Sequence, residues 1–317
     1  MKRSLRAFFL PLLLFFFWFS NLRAEPALIR VGILPIVESL PFFIAQEKGF
    51  FDSPSLKVEI VPFASALERD SGIQSGRIQA AILDILALSL FKSKGVPFVI
   101  VTDMMAPSSK RNLYTLLASP GSKAETLKQL HGRTVAFSSH TMNEYVLDGI
   151  LSREKLKGTD VDRVEVKRIP LRFQMVLEGK VDAAVLPEPF GSLALAQGGK
   201  RIAGDFGLKG TQTILIFQES FIREHAEAFA LFGKAYRRAI QVFQEDPERW
   251  RDLLVKEGGL PRSVKDISIF SSFSEIHLPT PEDIESIRTW MRRKRLDAPS
   301  LGYSSFVNDG WVRQGMK

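Results

Sequence analysis

Residues 30–84 read RVGILPIVESLPFFIAQEKGFFDSPSLKVEIVPFASALERDSGIQSGRIQAAILD. An apolar, β-branched run at Ile29–Leu34 gives way to a helix-like stretch that Pro41 can open and Gly49 close. A second run lies at Val58–Val61. Ser65 and Glu68 then stand at capping-box spacing ahead of a helix that Gly76 ends, and a third run fills Ala80–Leu83. Strand, helix, strand, helix, strand is the pattern of a mostly parallel sheet with helices on both faces.

The alternation continues along the chain. Further strands are predicted at Phe98–Thr102, Thr115–Ala118, Thr134–Phe137, Val164–Ile169, Ala183–Leu186 and Ile214–Phe217. Asp84 is placed to cap a helix that Gly95 ends, and Thr141 with Glu144 repeats the capping-box spacing. Residues 76–83, GRIQAAIL, recur as GKVDAAVL at 179–186. The offset is about one domain length, roughly 100 residues, which points to two related α/β lobes. From Ser220 onward the pattern turns helical. Phe229, Gly233, Tyr236, Ile240 and Phe243 share one face, and a further helix is expected from Glu282 to Lys294. The basic cluster Arg292–Arg295 reads as a solvated helix end, with docking to a transporter as the alternative.

The N-terminus has the order of a secretory signal. Lys2, Arg3 and Arg6 precede an apolar run from Ala7 to Ser20, and a short polar stretch leads to cleavage after Ala24. The run is shorter than the ~20 residues a spanning helix needs, and it contains Pro11; an uncleaved anchor is the alternative. With no cysteine in the chain, a lipid anchor of the lipoprotein type, disulfides and thiolate sites are excluded. Four of the 43 basic residues fall in the leader against none of the 35 acidic ones, so the remainder is only mildly basic. No basic run interleaved with aromatics occurs, which argues against nucleic acid as a partner. The four histidines lack metal-ligand spacing, and no cofactor or metal is expected.

Ligands of open α/β sheets bind beyond the carboxyl ends of the strands. That rule nominates Glu38, Ser39 and Leu40 after the first run, Phe63 and Ser65 after the second, Asp84 after the third and Thr102 after the fourth. In the other half it nominates Ser138, Ser139, His140 and Thr141, which open a helix whose amides favour an anion or polar head group, and then Glu188 and Phe190. Glu38, Asp84 and Glu188 suggest instead a cationic amine or a nitrogen heterocycle, on which Phe42, Phe63 and Phe190 could stack. The balance leans to an amine or heterocycle such as a thiamine-precursor pyrimidine. A sulfonate, carboxylate or nitrate-type anion is the alternative, nitrate being disfavoured because the nominated residues include no arginine. Arg111, just past the fourth strand, is the one exception: it could reach an acidic ligand or bridge the halves, and it is read as a surface residue.

The quoted stretch, with LKQLHGRTVAFSS at 127–139 and EGKVDAAVLPEPF at 178–190, resembles the periplasmic substrate-binding proteins of the nitrate/sulfonate/taurine type of ABC transporter. That group is related to the thiamine-pyrimidine-precursor binding proteins, and the resemblance runs from about residue 29 to 245. It implies a type II periplasmic-binding-protein fold, two Rossmann-like lobes around a central cleft with a two-strand hinge. Lobe 1 would hold residues 28–105 and 215–317, and lobe 2 residues 106–214, with crossings near Met104–Pro107 and Thr211–Ile214. The implied function is that of a monomeric periplasmic protein, not an enzyme, which closes over a small molecule and delivers it to a permease and its ATPase. Two other classes share the fold: a thiamine-pyrimidine biosynthetic enzyme, whose cysteine-rich motif is missing here, and a periplasmic sensor subunit.

Overall fold

The computed structural model describes residues 25–109, 111–267, 273 and 276–315. The secretory leader expected over 1–24 lies outside them. The first part of the chain runs β1 (Ala27–Ile33), α1 (Leu40–Glu47), β2 (Leu56–Pro62), α2 (Ala66–Gln74), β3 (Ala80–Asp84), α3 (Ile85–Ser93) and β4 (Phe98–Met105). It then crosses to β5 (Tyr114–Ala118), β6 (Thr134–Phe137), α4 (Met142–Arg153), β7 (Asp162–Glu165), α5 (Ile169–Leu177), β8 (Ala183–Pro187), α6 (Phe190–Ala196) and β9 (Lys200–Gly204). The return strand β10 (Thr213–Gln218) is followed by α7 (Glu219–Glu224), α8 (Ala226–Glu245), α9 (Arg251–Gly258), α10 (Pro281–Arg293) and α11 (Gly310–Gly315).

Two five-stranded sheets result, ordered β2-β1-β3-β10-β4 and β7-β6-β8-β5-β9. In each, four strands share one direction and one is reversed, β10 between β3 and β4 and β5 between β8 and β9. The recurrent octapeptides supply the third strand of each sheet, β3 and β8. All five residues of either strand are buried, as a strand covered by helices on both faces requires. Alternate residues serve opposite faces. Ile82, Leu215 and Phe217 join one apolar cluster, while Ala81, Leu83, Ile214 and Ile216 join the other, and both clusters continue through the second sheet.

The strand expected at Val164–Ile169 is shorter and earlier, Asp162–Glu165, because Pro170 sits in the first turn of α5 and pulls Ile169 into the helix. Strand β9 was not foreseen, its KRIAG lacking a β-branched run. Helix α8 buries Phe229, Phe232, Tyr236 and Phe243, and the indole of Trp311 stacks on Phe229 at 5.0 Å, so the C-terminal segment is packed into the first sheet's helix layer. At the basic end of α10, Arg292, Arg293 and Arg295 are exposed, as a solvated helix end requires, while Lys294 is half-buried. Lys294 pairs with Glu144 (2.5 Å) on α4, and Arg292 with Glu285. Among the described residues no helix is long and apolar enough to cross a membrane.

Candidate functional site

The carboxyl ends of the parallel strands of the two sheets face one another across a cleft. Its walls are formed from the first sheet by Leu34, Glu38, Arg69, Asp84 and Thr213, and from the second by Tyr114, Ser138, Thr141, Asn143 and Arg172. Exposed Lys167 stands at the rim. The space between them is about 50 Å³, room for a few waters, because the lobes lie close together. At one edge they touch: the Ile169 amide donates to the Ala64 carbonyl (3.2 Å), and Arg168 stands 3.9 Å from Glu68.

The strongest charges on the walls are two arginines, one from each lobe. Arg69 occupies the first turn of α2 and is 2% exposed; Arg172 occupies the first turn of α5 and is 1% exposed. Their positions differ by the same offset as GRIQAAIL and GKVDAAVL, so they are equivalent residues of the two lobes. Their bonding is equivalent too. Arg69 Nη1 donates to the Ile82 carbonyl (3.0 Å) of β3, and Arg172 Nε to the Val185 carbonyl (2.8 Å) of β8. Arg69 Nε donates to Asp70 (2.9 Å), while its buried Nη2 lies within ion-pair range of that carboxylate without a hydrogen bond. Arg172 Nη1 donates to the Val166 carbonyl (2.6 Å). Desolvation pulls the Arg172 guanidinium down to about 10, well above neutrality. The premise that disfavoured a nitrate-type anion, a site without arginine, is thereby overturned.

The acidic side chains are weaker counter-charges than their number suggests. Burial pushes the Glu38 carboxyl up, against the opposing effects of a 2.7 Å hydrogen bond from Thr213 Oγ1 and the charge of Arg111. Burial likewise raises Asp84, opposed by Arg69 and by the 2.8 Å bond it accepts from the Ala87 amide as cap of α3. Each therefore holds its proton more readily than a free carboxyl does.

Of the residues nominated from sequence, Glu38, Asp84, Ser138 and Thr141 line the cavity. The others are placed elsewhere, each for a local reason. Ser39 donates to the Leu34 carbonyl (2.7 Å), and Leu40 is fully buried in the core. Phe63 packs its ring beside Gly72 and Gly32, away from the cleft. Ser65 is the cap of α2, accepting from the Glu68 amide (3.2 Å). Thr102 is held by the carbonyls of Asp103 and His277. Ser139 gives its amide to Glu165 (2.9 Å), and His140, in a left-handed conformation (φ 55°), gives its amide to Glu144 (2.8 Å) and is exposed. Glu188 accepts from the Ser192 amide at the start of α6, with burial raising it to about 7. Phe190 packs on Phe173 at 5.2 Å. Three amides at the start of α4 are thus spent on Glu165, Glu144 and Thr141, which reduces the anion cradle expected there. Arg111 is a half-buried residue of the crossing, donating to the Ala106 carbonyl (2.6 Å), rather than a surface one.

A family model described as NMT1/THI5 like matches residues 37–250. The chain belongs to the NMT1/THI5-like family. It is 26% identical over 249 residues to the "Putative aliphatic sulfonates-binding protein" of Escherichia coli (strain K12), covering 76% of this chain and 75% of that protein. Over 236 residues it is 22% identical to the 4-amino-5-hydroxymethyl-2-methylpyrimidine phosphate synthase THI13 of Saccharomyces cerevisiae, covering 69% and 68%. Among solved structures, the alkanesulfonate-binding protein SsuA from Xanthomonas axonopodis pv. citri, bound to MOPS, superposes with a TM-score of 0.76 at 19% identity, over 90% of this chain and all of that one. The fold of this family member is therefore the two-lobed α/β fold of the periplasmic binding proteins. Its relatives include both binding proteins and a synthase.

Proposed function

We propose that this chain is the solute-binding component of an ABC importer and works in the periplasm. It closes over a small organic anion of the sulfonate class and presents it to a permease with its ATPase. The observation that carries this reading is the pair of equivalent, buried arginines on opposite walls of the cleft, Arg69 and Arg172. A guanidinium is a planar donor array suited to oxyanions, and two of them meeting from separate lobes make closure depend on an anion between them. Similarity to sulfonate-binding proteins supports the same ligand class. No catalytic step is assigned to the chain.

An amine or nitrogen heterocycle is the second reading, favoured by the carboxyls of Glu38 and Asp84 on the same walls. Burial opposes it, because it raises both carboxyls and so disfavours the ionised form that attracts a cation. The test is thermal unfolding against alkanesulfonates, aminoalkanesulfonates, carboxylates, nitrate, aliphatic amines and aminopyrimidines. A ligand at 100 times its dissociation constant stabilises by about 2.7 kcal/mol. Stabilisation by sulfonates supports the proposal. Stabilisation confined to amines or pyrimidines transfers the site to Glu38 and Asp84.

A further inference from the structure

Outside the two crossings, two of the places where the described residues of the lobes meet differ greatly in construction. One is the cleft edge between α2 and α5, where a single backbone bond (Ile169 to Ala64) and the ion pair of Arg168 with Glu68 join the walls. That pair is long, 3.9 Å, and both its side chains are largely in solvent, 66% and 47% exposed, where water and salt screen it.

The other is helix α10. Its apolar face, Ile284, Ile287 and Met291, belongs to the same buried cluster as Ile85, Leu86 and Leu88 of α3 in the first lobe. On its other side it grips α4 of the second lobe. Trp290 Nε1 donates to Asp148 (3.0 Å), and the Trp290 ring meets Tyr145 edge-on at 5.6 Å. Lys294 reaches both Glu144 and Asp148 (3.3 Å). At its start, Asp283 accepts from the Gly210 amide (3.2 Å) and Glu282 pairs with Lys209 (3.2 Å), both on the return crossing. Helices α3 and α4 begin at Asp84 and Thr141, both on the cleft walls, so α10 ties together elements from the two sides of the cleft.

We propose that α10 is a brace that holds one flank of the cleft shut, and that the cleft opens only at the α2–α5 edge, with Glu68–Arg168 as its latch. Hinge bending lets rigid lobes swing while the packed contacts near the axis persist. Aromatic packing, a part-buried hydrogen bond and paired charges concentrate at α10, whereas the opposite edge carries contacts that part at little cost. Opening then widens the edge flanked by Leu67 and Leu171, both half-exposed, and that edge is the route of ligand entry. The inference concerns lobe movement, so its failure leaves the ligand reading untouched.

The absence of cysteine makes the test clean, because two introduced thiols are the only labelling sites. One spin-labelled variant carries Leu67→Cys with Leu171→Cys across the edge, and a second carries Ser152→Cys with Thr289→Cys across the braced flank. Distances are measured by pulsed electron resonance in the full protein, with and without Arg168→Glu, which sets like charges at the latch. Glu68→Lys repeats the test from the other wall. The expected result is a shift of the edge distances to longer values while the flank distances keep their position and width. Lengthening at the flank, or an edge distance that neither charge reversal changes, overturns the proposal.

Discussion

Replacing Arg172 by methionine tests the anion reading most directly. The side chain keeps an unbranched apolar stem and loses the guanidinium with its charge and donors. Nε and one N–H of Nη1 are committed to the carbonyls of Val185 and Val166, so the donors left for a ligand are the second N–H of Nη1 and those of Nη2. A charge-assisted hydrogen bond contributes about 1.5–3 kcal/mol. With about 1.4 kcal/mol per decade of affinity, Arg172→Met should weaken sulfonate binding roughly 10- to 100-fold. The fold also changes. Two buried carbonyls lose their donor, at about 1–3 kcal/mol each, offset in part because a charge is no longer buried. Titration calorimetry gives the affinity, and a circular-dichroism melt shows that the variant is folded at the temperature of titration. Arg172→Lys keeps the charge without the planar fork and should fall between the two. Arg69→Met, its equivalent on the other wall, should lose a similar factor. A folded Arg172→Met protein that binds sulfonate as the wild type does would refute the reasoning, and the anion would have to be held by other groups.

The raised Glu38 and Asp84 carboxyls predict that sulfonate affinity is greatest in acid and falls as pH rises through their folded pKa values; Glu38→Gln should flatten the dependence, read by calorimetry across pH 5–9. Burial, with Asp283 nearby, lifts Asp103 from 3.8 to about 8, so the stability this group contributes is full below about pH 4 and is lost as pH rises towards 8, at about 1.4 kcal/mol per unit. Asp103→Asn should remove that part of the slope and gain on the wild type from pH 5 to 8 in urea midpoints; Glu188 and Asp205 titrate in both proteins and cancel. A Cβ at Gly233 would stand 2.7 Å from the buried Trp311 indole, so Gly233→Ala should destabilise by about 1–3 kcal/mol of overpacking, against up to ~1 kcal/mol gained in helix propensity; a raised melting temperature would mean that Trp311 does not pack there.

Most of the strand pattern was legible because these strands carry their environment in their composition. Ala80–Leu83 and Ala183–Pro187 are apolar throughout since both faces are covered, and Ser65, Asp84 and Thr141 announce the helices that follow them. The errors lie where composition and environment part. Lys200–Gly204 is an edge strand paired on one side with β5, so it needs no apolar run. Val164–Ile169 looks like one strand, but Pro170 can occupy a first helical turn, and the helix takes the residues before it.

The site was half legible for a related reason. The rule of strand ends leads to Glu38, Asp84, Ser138 and Thr141 because their place follows from one strand each. Arginine in a first helical turn reads as solvated, and nothing local distinguishes Arg69 or Arg172 from Arg77 or Arg168. Their burial comes from tertiary structure: α2 and α5 fold back over the central strands, and each guanidinium then meets a carbonyl on β3 or β8. A non-local signal was nevertheless present. When the octapeptide recurrence is carried back along the chain, Arg69 falls on Arg172 while most residues between disagree. A charged residue retained at equivalent positions of two diverged lobes, each time beneath the strand that ends at the cleft, is tied to what the lobes do together. In a fold that works by closing two walls on one ligand, a matched pair of buried cations is the feature that makes the gap between them a site for an anion.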